Sequence, residues 1–196
     1  MFKAPRDVTF RCSCGSVQGT LRGVSTSTGS HIACFCADCR AAEVFAGQPD
    51  PAPEPVAYFQ TTPDRVRFDA GFDKLAVFSF GPKNLLRWQA SCCGSPLFNT
   101  LRNPKIAFAS IRTNTLDDQT AIGPVRATAF IPNPAGTPKH KGMGRIVWAL
   151  FSRIAAARIT GRWKQTPFFD PETLAPVREV QVVDKDVRAE IKASLS

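Results

Sequence analysis

Seven cysteines in a chain of 196 residues fall into three close groups: Cys12 with Cys14, then Cys34, Cys36 and Cys39, then the adjacent pair Cys92 and Cys93. A single buried cysteine is often no more than a small apolar core residue. Pairs and triplets at this spacing are how a chain brings several sulfurs to one tetrahedral ion. Gly15 follows Cys14 and Gly94 follows Cys93, and glycine lets the backbone bend sharply enough to wrap an ion about 2.3 Å from each sulfur. The middle triplet offers three donors. Three protein ligands leave the fourth tetrahedral position open, as in catalytic zinc sites, whereas four close it and make the site structural. The expectation is one or two zinc ions held between β-strands, with any chemistry at Cys34, Cys36 and Cys39.

Other side chains near these groups have competing explanations. His31, just upstream of Cys34, is either a fourth ligand or a strand-end residue, and the structural role is favoured. Asp38 lies inside the triplet, where it could orient a ligand, act as a base or simply complement a helix start. His140, between Lys139 and Lys141, is expected to be exposed. Thiol redox chemistry at Cys92 and Cys93, or at an exposed Cys39, is a weaker reading, because vicinal cysteines form only a strained disulfide.

Composition narrows the class of protein. The cysteine count is odd and no apolar run of signal-peptide length opens the chain, so a reducing, cytoplasmic location is expected rather than a disulfide framework. A hydrophobic content of 43% with 15 Phe and 16 Pro suits a globular protein rich in strands and turns. The formal net charge of +9 is concentrated: between Gln119 and Phe169 there is no Asp or Glu, while Arg126, Lys139, Lys141, Arg145, Arg153, Arg158, Arg162 and Lys164 all fall there. Such a segment can engage nucleic acid or an anionic membrane surface, or be a helix packed on the core with solvated cations.

The elements that must position the cysteines follow from alternation and turn residues. Residues 8–11 and 16–21 read as a hairpin with the first cysteine pair at its bend. Residues 30–34 read as a strand leading into a short helix over 37–46 that Gly47 stops, which puts the triplet where strand becomes helix. A proline-rich loop spans 47–55. Strand-length segments follow at 56–60, 65–69, 75–80 and 85–89, the pattern of an antiparallel meander, with further candidates at 106–111 and 125–131. Prolines then mark a change of character. From Met143 to about Ile159 the pattern turns helical, with Val147, Leu150, Phe151 and Ile154 on one side.

These motifs resemble the glutathione-dependent formaldehyde-activating enzyme family, which includes centromere protein V-like proteins. Its opening Cys-x-Cys-Gly-x-Val matches Cys12 to Val17, its Cys-His-Cys-x-x-Cys-Arg matches Cys34 to Arg40 with Phe35 in place of His, and its Cys-Gly-Ser-Pro-Leu-Phe matches Cys93 to Phe98. The resemblance, which covers about residues 8–100, implies a β-tent of packed antiparallel sheets; with the pattern of the rest of the chain it gives a zinc-binding β domain over 1–132 and a basic, partly helical extension over 133–196. It implies a structural zinc on Cys12, Cys14 and Cys93. It also implies a catalytic zinc on Cys34, Cys36 and Cys39, where a glutathione thiol would add to formaldehyde as in a carbon-sulfur lyase run in reverse. Arg40, Arg87 and Lys83 are then candidates to hold glutathione carboxylates, with surface placement the default. The sequence departs from the family at Ala90, which replaces the first cysteine of its last motif, and at the additional Cys92. The first site therefore uses Cys92 as a strained fourth ligand, keeps three ligands or is empty. The alternative function is a binding module stapled by zinc that uses its basic segment on nucleic acid or an anionic surface.

Overall fold

The computed structural model describes residues 4–195. In chain order the elements are β1 (Arg6–Arg11), β2 (Gln18–Val24), β3 (Ser30–Cys34), α1 (Ala37–Phe45), β4 (Val56–Thr61), β5 (Val66–Ala70), β6 (Leu75–Ser79), β7 (Leu86–Ala90) and β8 (Pro96–Thr100). They continue with β9 (Ala109–Arg112), β10 (Ala127–Ile131), β11 (Lys139–Lys141), α2 (Met143–Ile159), β12 (Val180–Val182) and α3 (Lys185–Ser194). A three-stranded sheet has the order β1-β2-β5, and a nine-stranded sheet has the order β11-β10-β3-β4-β9-β8-β7-β6-β12. The mostly β architecture of two packed sheets is the one expected from the sequence.

The core between the sheets comes from period-two alternation. Val8, Phe10, Leu21 and Val24 of the small sheet meet Phe59, Val77, Trp88, Phe98 and Ile111 of the large one in a single buried cluster. Register places Val77 beside Trp88, Trp88 beside Phe98, Phe98 beside Ile111 and Ile111 beside Phe59, so one face of the large sheet is a continuous apolar row. Trp88 is satisfied inside the core by donating from Nε1 to Thr100 Oγ1 at 2.9 Å. Phe168 returns from beyond α2 to plug the same cluster, fully buried against the Phe68, Trp88 and Phe98 rings.

The other face of the large sheet is polar yet covered. Phe78, Arg87, Asn99, Ser110, Gln60 and Ser30 lie side by side across six strands. Helix α1 covers one part of this face, where Ala41 and Ala42 pack with Phe78 and Phe80. Helix α2 reaches another part, where Arg153 donates to Ser30 Oγ at 3.1 Å. Helix α3 docks on α1 through Arg188 and Lys192, which hold Asp38 at 2.8 and 2.6 Å.

Several sequence expectations are revised. The sheets are not wholly antiparallel: β10 runs parallel to β3 and β12 parallel to β6, because each arrives after a long excursion instead of a hairpin. The meander is β6-β7-β8-β9; β5 leaves it to pair with β2, and β4 sits between β3 and β9. Strands β8, β11 and β12 and helix α3 were not expected. Helix α2 spans the expected residues, but its buried positions are Ile146 and Ala157, while Val147 and Phe151 face solvent.

Near the triplet, Arg112 grips Glu43 with Nε to Oε1 at 2.9 Å and Nη2 to Oε2 at 3.3 Å, both side chains buried. Removing one partner strands a buried charge, which costs about 3 kcal/mol or more, whereas replacing both with apolar groups is close to neutral. Urea unfolding of Arg112→Leu should show that loss, and the double variant Arg112→Leu with Glu43→Leu should recover most of it.

Candidate metal centres

Two tight turns build the first cluster. After β1 the chain folds back with Gly15 N donating to Cys12 O and Cys12 N to Val17 O, both at 3.0 Å. At the end of β7, Gly94 N and Cys93 N both donate to Ala90 O, at 2.8 and 3.4 Å. Gly94 has φ +68, and a Cβ there would lie 2.1 Å from the Ala46 carbonyl oxygen, so only glycine fits this turn. The result brings Cys12, Cys14, Cys92 and Cys93 together with all four sulfurs within 4.8 Å of one another. Adjacent separations are 3.5 Å for Cys12 to Cys14, 3.3 Å for Cys14 to Cys92, and 4.0 Å for Cys12 to Cys92 and for Cys92 to Cys93. Tetrahedral zinc with sulfurs at about 2.3 Å sets edges of about 3.8 Å, so this donor set fits an ion of that size. Cys92 thus joins the cluster beside Cys93, and Ala90 contributes its backbone carbonyl to the turn.

Serines trim this cluster. Ser95 Oγ accepts from Ser13 N at 2.9 Å and lies 3.2 Å from Cys93 Sγ. Burial raises the Cys93 thiol, but hydrogen bonds from Ser13 and Ser95 outweigh it and lower the pKa to about 5. Ser16 likewise lowers Cys14. Thiolate is the form that binds metal, so both effects favour ligation.

The second cluster forms where β3 ends and α1 begins. Cys34 is the last residue of β3, and Cys36 is the N-cap of α1, its sulfur accepting from Cys39 N at 3.3 Å. The three sulfurs of Cys34, Cys36 and Cys39 lie within 4.8 Å of one another, and no fourth His, Cys, Asp or Glu joins them among the described residues. Hydrogen bonds from Cys34 and then Cys39 lower Cys36 to about 3, while sharing with Cys36 raises Cys34 to about 11. Cys39 is raised by its hydrogen bonds to Cys34 and Cys36 and then by burial. None of the seven cysteines is in a disulfide.

Both clusters can therefore hold metal ions. The model of a family of unknown function, DUF6151, matches residues 4–156. The chain belongs to that family. The matched span takes in both cysteine clusters and most of α2. A crystal structure of a Rhodobacter sphaeroides protein from a structural genomics programme is similar at 18% identity with a TM-score of 0.44, over 62% of this chain and 98% of its own. No curated protein matches.

The remaining sequence candidates divide clearly. His31 is on the face of β3 opposite Cys34, with Nδ1 donating to Gly123 O at 2.8 Å, and it is no part of the cluster. His140 is exposed and stacks edge-on against Phe130. Burial pushes Asp38 up, but its pairing with Arg188 and Lys192 prevails and the carboxylate is held low, which commits it to docking α3. Arg40 is bound to Asp50, and Lys83 is exposed. Arg87 is the exception to surface placement. It is 7% exposed, its side chain makes no salt bridge or hydrogen bond among the described residues, and its Nη1 is buried without a partner there. Its guanidinium lies 5.4 Å over the Phe80 ring, and its charge helps lower Cys36. Tyr58 was not singled out by sequence. It is buried, and its phenol is raised by burial and then by the charge of Cys39; nothing in its sequence context marks it out from a core tyrosine.

Elemental analysis of the purified protein should give about two metal equivalents, falling by about one in Cys36→Ser and by about one in Cys92→Ser. A Cys92→Ser protein that keeps both would remove Cys92 from the first site. Both equivalents should be lost as pH falls, since protons compete with the ion for each thiolate.

Proposed function

We propose that this is a zinc protein whose Cys34, Cys36 and Cys39 site acts on the adduct of a small thiol, such as glutathione, with an aldehyde such as formaldehyde, as a carbon-sulfur lyase or its reverse. The observation that carries the reading is the contrast between the clusters: four converging sulfurs at one, three at the other with no fourth donor among the described residues. Four ligands suit a structural ion, and three leave a position for an exchangeable ligand. The thiol and the aldehyde come from the motif resemblance to the glutathione-dependent formaldehyde-activating family.

Zinc, when bound there, supplies Lewis acidity that favours the thiolate form of an incoming thiol at neutral pH. The chain's own residues set the conditions around it. Cys34, Cys36 and Cys39 would hold the ion at the N-terminus of α1, where the helix dipole favours negative charge. Arg87 offsets part of the charge of the three thiolates from a buried position. Tyr58 keeps its phenolic proton on Oη. A groove of about 380 Å³, lined by Phe35, Arg40, Ala52, Pro53, Glu54 and Pro132 and by no cysteine, is of a size for a small peptide thiol, and its Phe35 and Arg40 are chain neighbours of Cys34, Cys36 and Cys39. In the forward direction a carbon–sulfur bond forms between thiol and carbonyl carbon, and the thiol proton ends on the new hydroxyl oxygen. The reverse breaks that bond and returns the proton to sulfur.

The test follows adduct exchange by NMR in a mixture of glutathione, isotopically labelled formaldehyde and zinc-loaded protein. Exchange should be faster than without protein, return to the uncatalysed rate in Cys36→Ser and stay fast in Cys14→Ser if that variant remains folded. Unchanged exchange with the intact protein would end the enzymatic reading. Separately, Arg87→Gln should release metal from the three-sulfur site to a chelator about tenfold more readily, the scale of a lost outer-shell interaction, with the four-sulfur site unaffected.

A further inference from the structure

Helix α2 is apolar on two sides, and only one of them is covered. Ile146 and Ala157 are buried against the protein, and Arg153 is turned inward to Ser30. The opposite side exposes Trp148 at 77%, Phe151 at 62% and Ile159 at 86%. The spacing of these three sets them along one stripe about 16 Å long at 1.5 Å per residue. A helix that is hydrophobic all round is normally buried all round, and a contiguous exposed apolar stripe of this kind marks an interaction surface.

The charge around the stripe says what covers it. Arg145 and Arg158 lie on the same exposed side of α2, and Lys141 and Lys164 flank its two ends; all four are exposed, and none pairs with an acidic side chain among the described residues. Among the described residues, Arg162 alone of this segment meets an acid, Asp64 at 3.2 Å. No Asp or Glu occurs between Gln119 and Phe169. We infer that this face of α2 lies in the surface of an anionic lipid bilayer, with Trp148, Phe151 and Ile159 entering the headgroup and acyl boundary and the flanking cations on the lipid phosphates. A tryptophan and a phenylalanine on an apolar crest with arginine and lysine beside it is the arrangement that interfacial helices use. A second copy of the chain is disfavoured, because a two-fold contact through this face would set the same unpaired cations against one another. Nucleic acid would neutralise the cations but leave the protruding apolar crest in water. The inference is independent of either metal centre and goes beyond the proposed chemistry.

The experiment is cosedimentation of the full chain with vesicles of phosphatidylcholine alone and of phosphatidylcholine mixed equally with phosphatidylserine. Binding is expected to the mixed vesicles only, to weaken with added salt, and to fall at least about tenfold in the double variant Trp148→Ser with Phe151→Ser. Since both side chains are exposed, the variant should keep the far-ultraviolet circular dichroism and metal content of the parent. No binding to mixed vesicles at low salt overturns the inference. So does a dimer by light scattering that the double variant dissolves, or retention on duplex DNA with no vesicle binding.

Discussion

Four cysteine sulfurs converge across the gap between two sheets. Cys12 and Cys14 hang from the turn between β1 and β2, in the small sheet, while Cys92 and Cys93 hang from the turn between β7 and β8, in the large one. Cys14 and Cys92 are 78 residues apart in the chain and 3.3 Å apart in space. An ion held by these four would clamp the sheets together at one edge of the apolar core that otherwise joins them, adding a cross-link where packing alone must resist opening. The turn chemistry serves this constraint. Gly94 cannot be anything larger because the carbonyl of Ala46, just after α1, closes on it. The first centre and the end of the helix that begins at the second are therefore in contact.

The second centre differs in its electrostatic setting as well as in its ligand count. Around Cys34, Cys36 and Cys39 stand a compensated buried pair, Glu43 with Arg112, and a part-exposed triad, Asp38 with Arg188 and Lys192. Arg87 stands apart from both. A guanidinium taken out of water without an anion is costly, so a buried, unpaired arginine implies negative charge close by. Three thiolates outweigh a divalent cation by one unit, and the arginine beside them is of the right sign to meet the residue. At the four-sulfur cluster the excess would be two units, but Cys14 and Cys92 are exposed and water shares that load.

What the sequence made legible was the grouping of the cysteines, through spacing that core packing does not generate. The groups Cys12 with Cys14 and Cys34, Cys36, Cys39 were placed correctly at a hairpin bend and a strand-to-helix junction. The part played by Cys92 was not decidable, because it turns on whether two consecutive residues can both present sulfur to one point, and only the bend from Ala90 to Gly94 shows that they do. Strand β12 and the Phe168 plug were hidden for a different reason. Both are short, and both owe their existence to docking on β6 or in the core, with little local propensity of their own.

Alternation reports which side of a strand is apolar, but not whether the other side meets water. Ser30, Gln60, Ser110, Asn99 and Arg87 alternate with core residues and so read as solvent-facing, yet α1 and α2 lie on that side and bury most of them. The same blindness left the buried face of α2 open: with apolar residues on two sides, periodicity cannot choose between them, and Arg153 turned inward where an arginine is expected to turn out. Gln60 Oε1, Arg87 Nη1 and Arg153 Nε are all buried on this covered face without partners among the described residues. Polar groups are not hidden in a row for stability, since each unsatisfied one costs about 1–3 kcal/mol. Their cost is borne on the side of the sheet on which Cys34, one of the candidate metal ligands, lies.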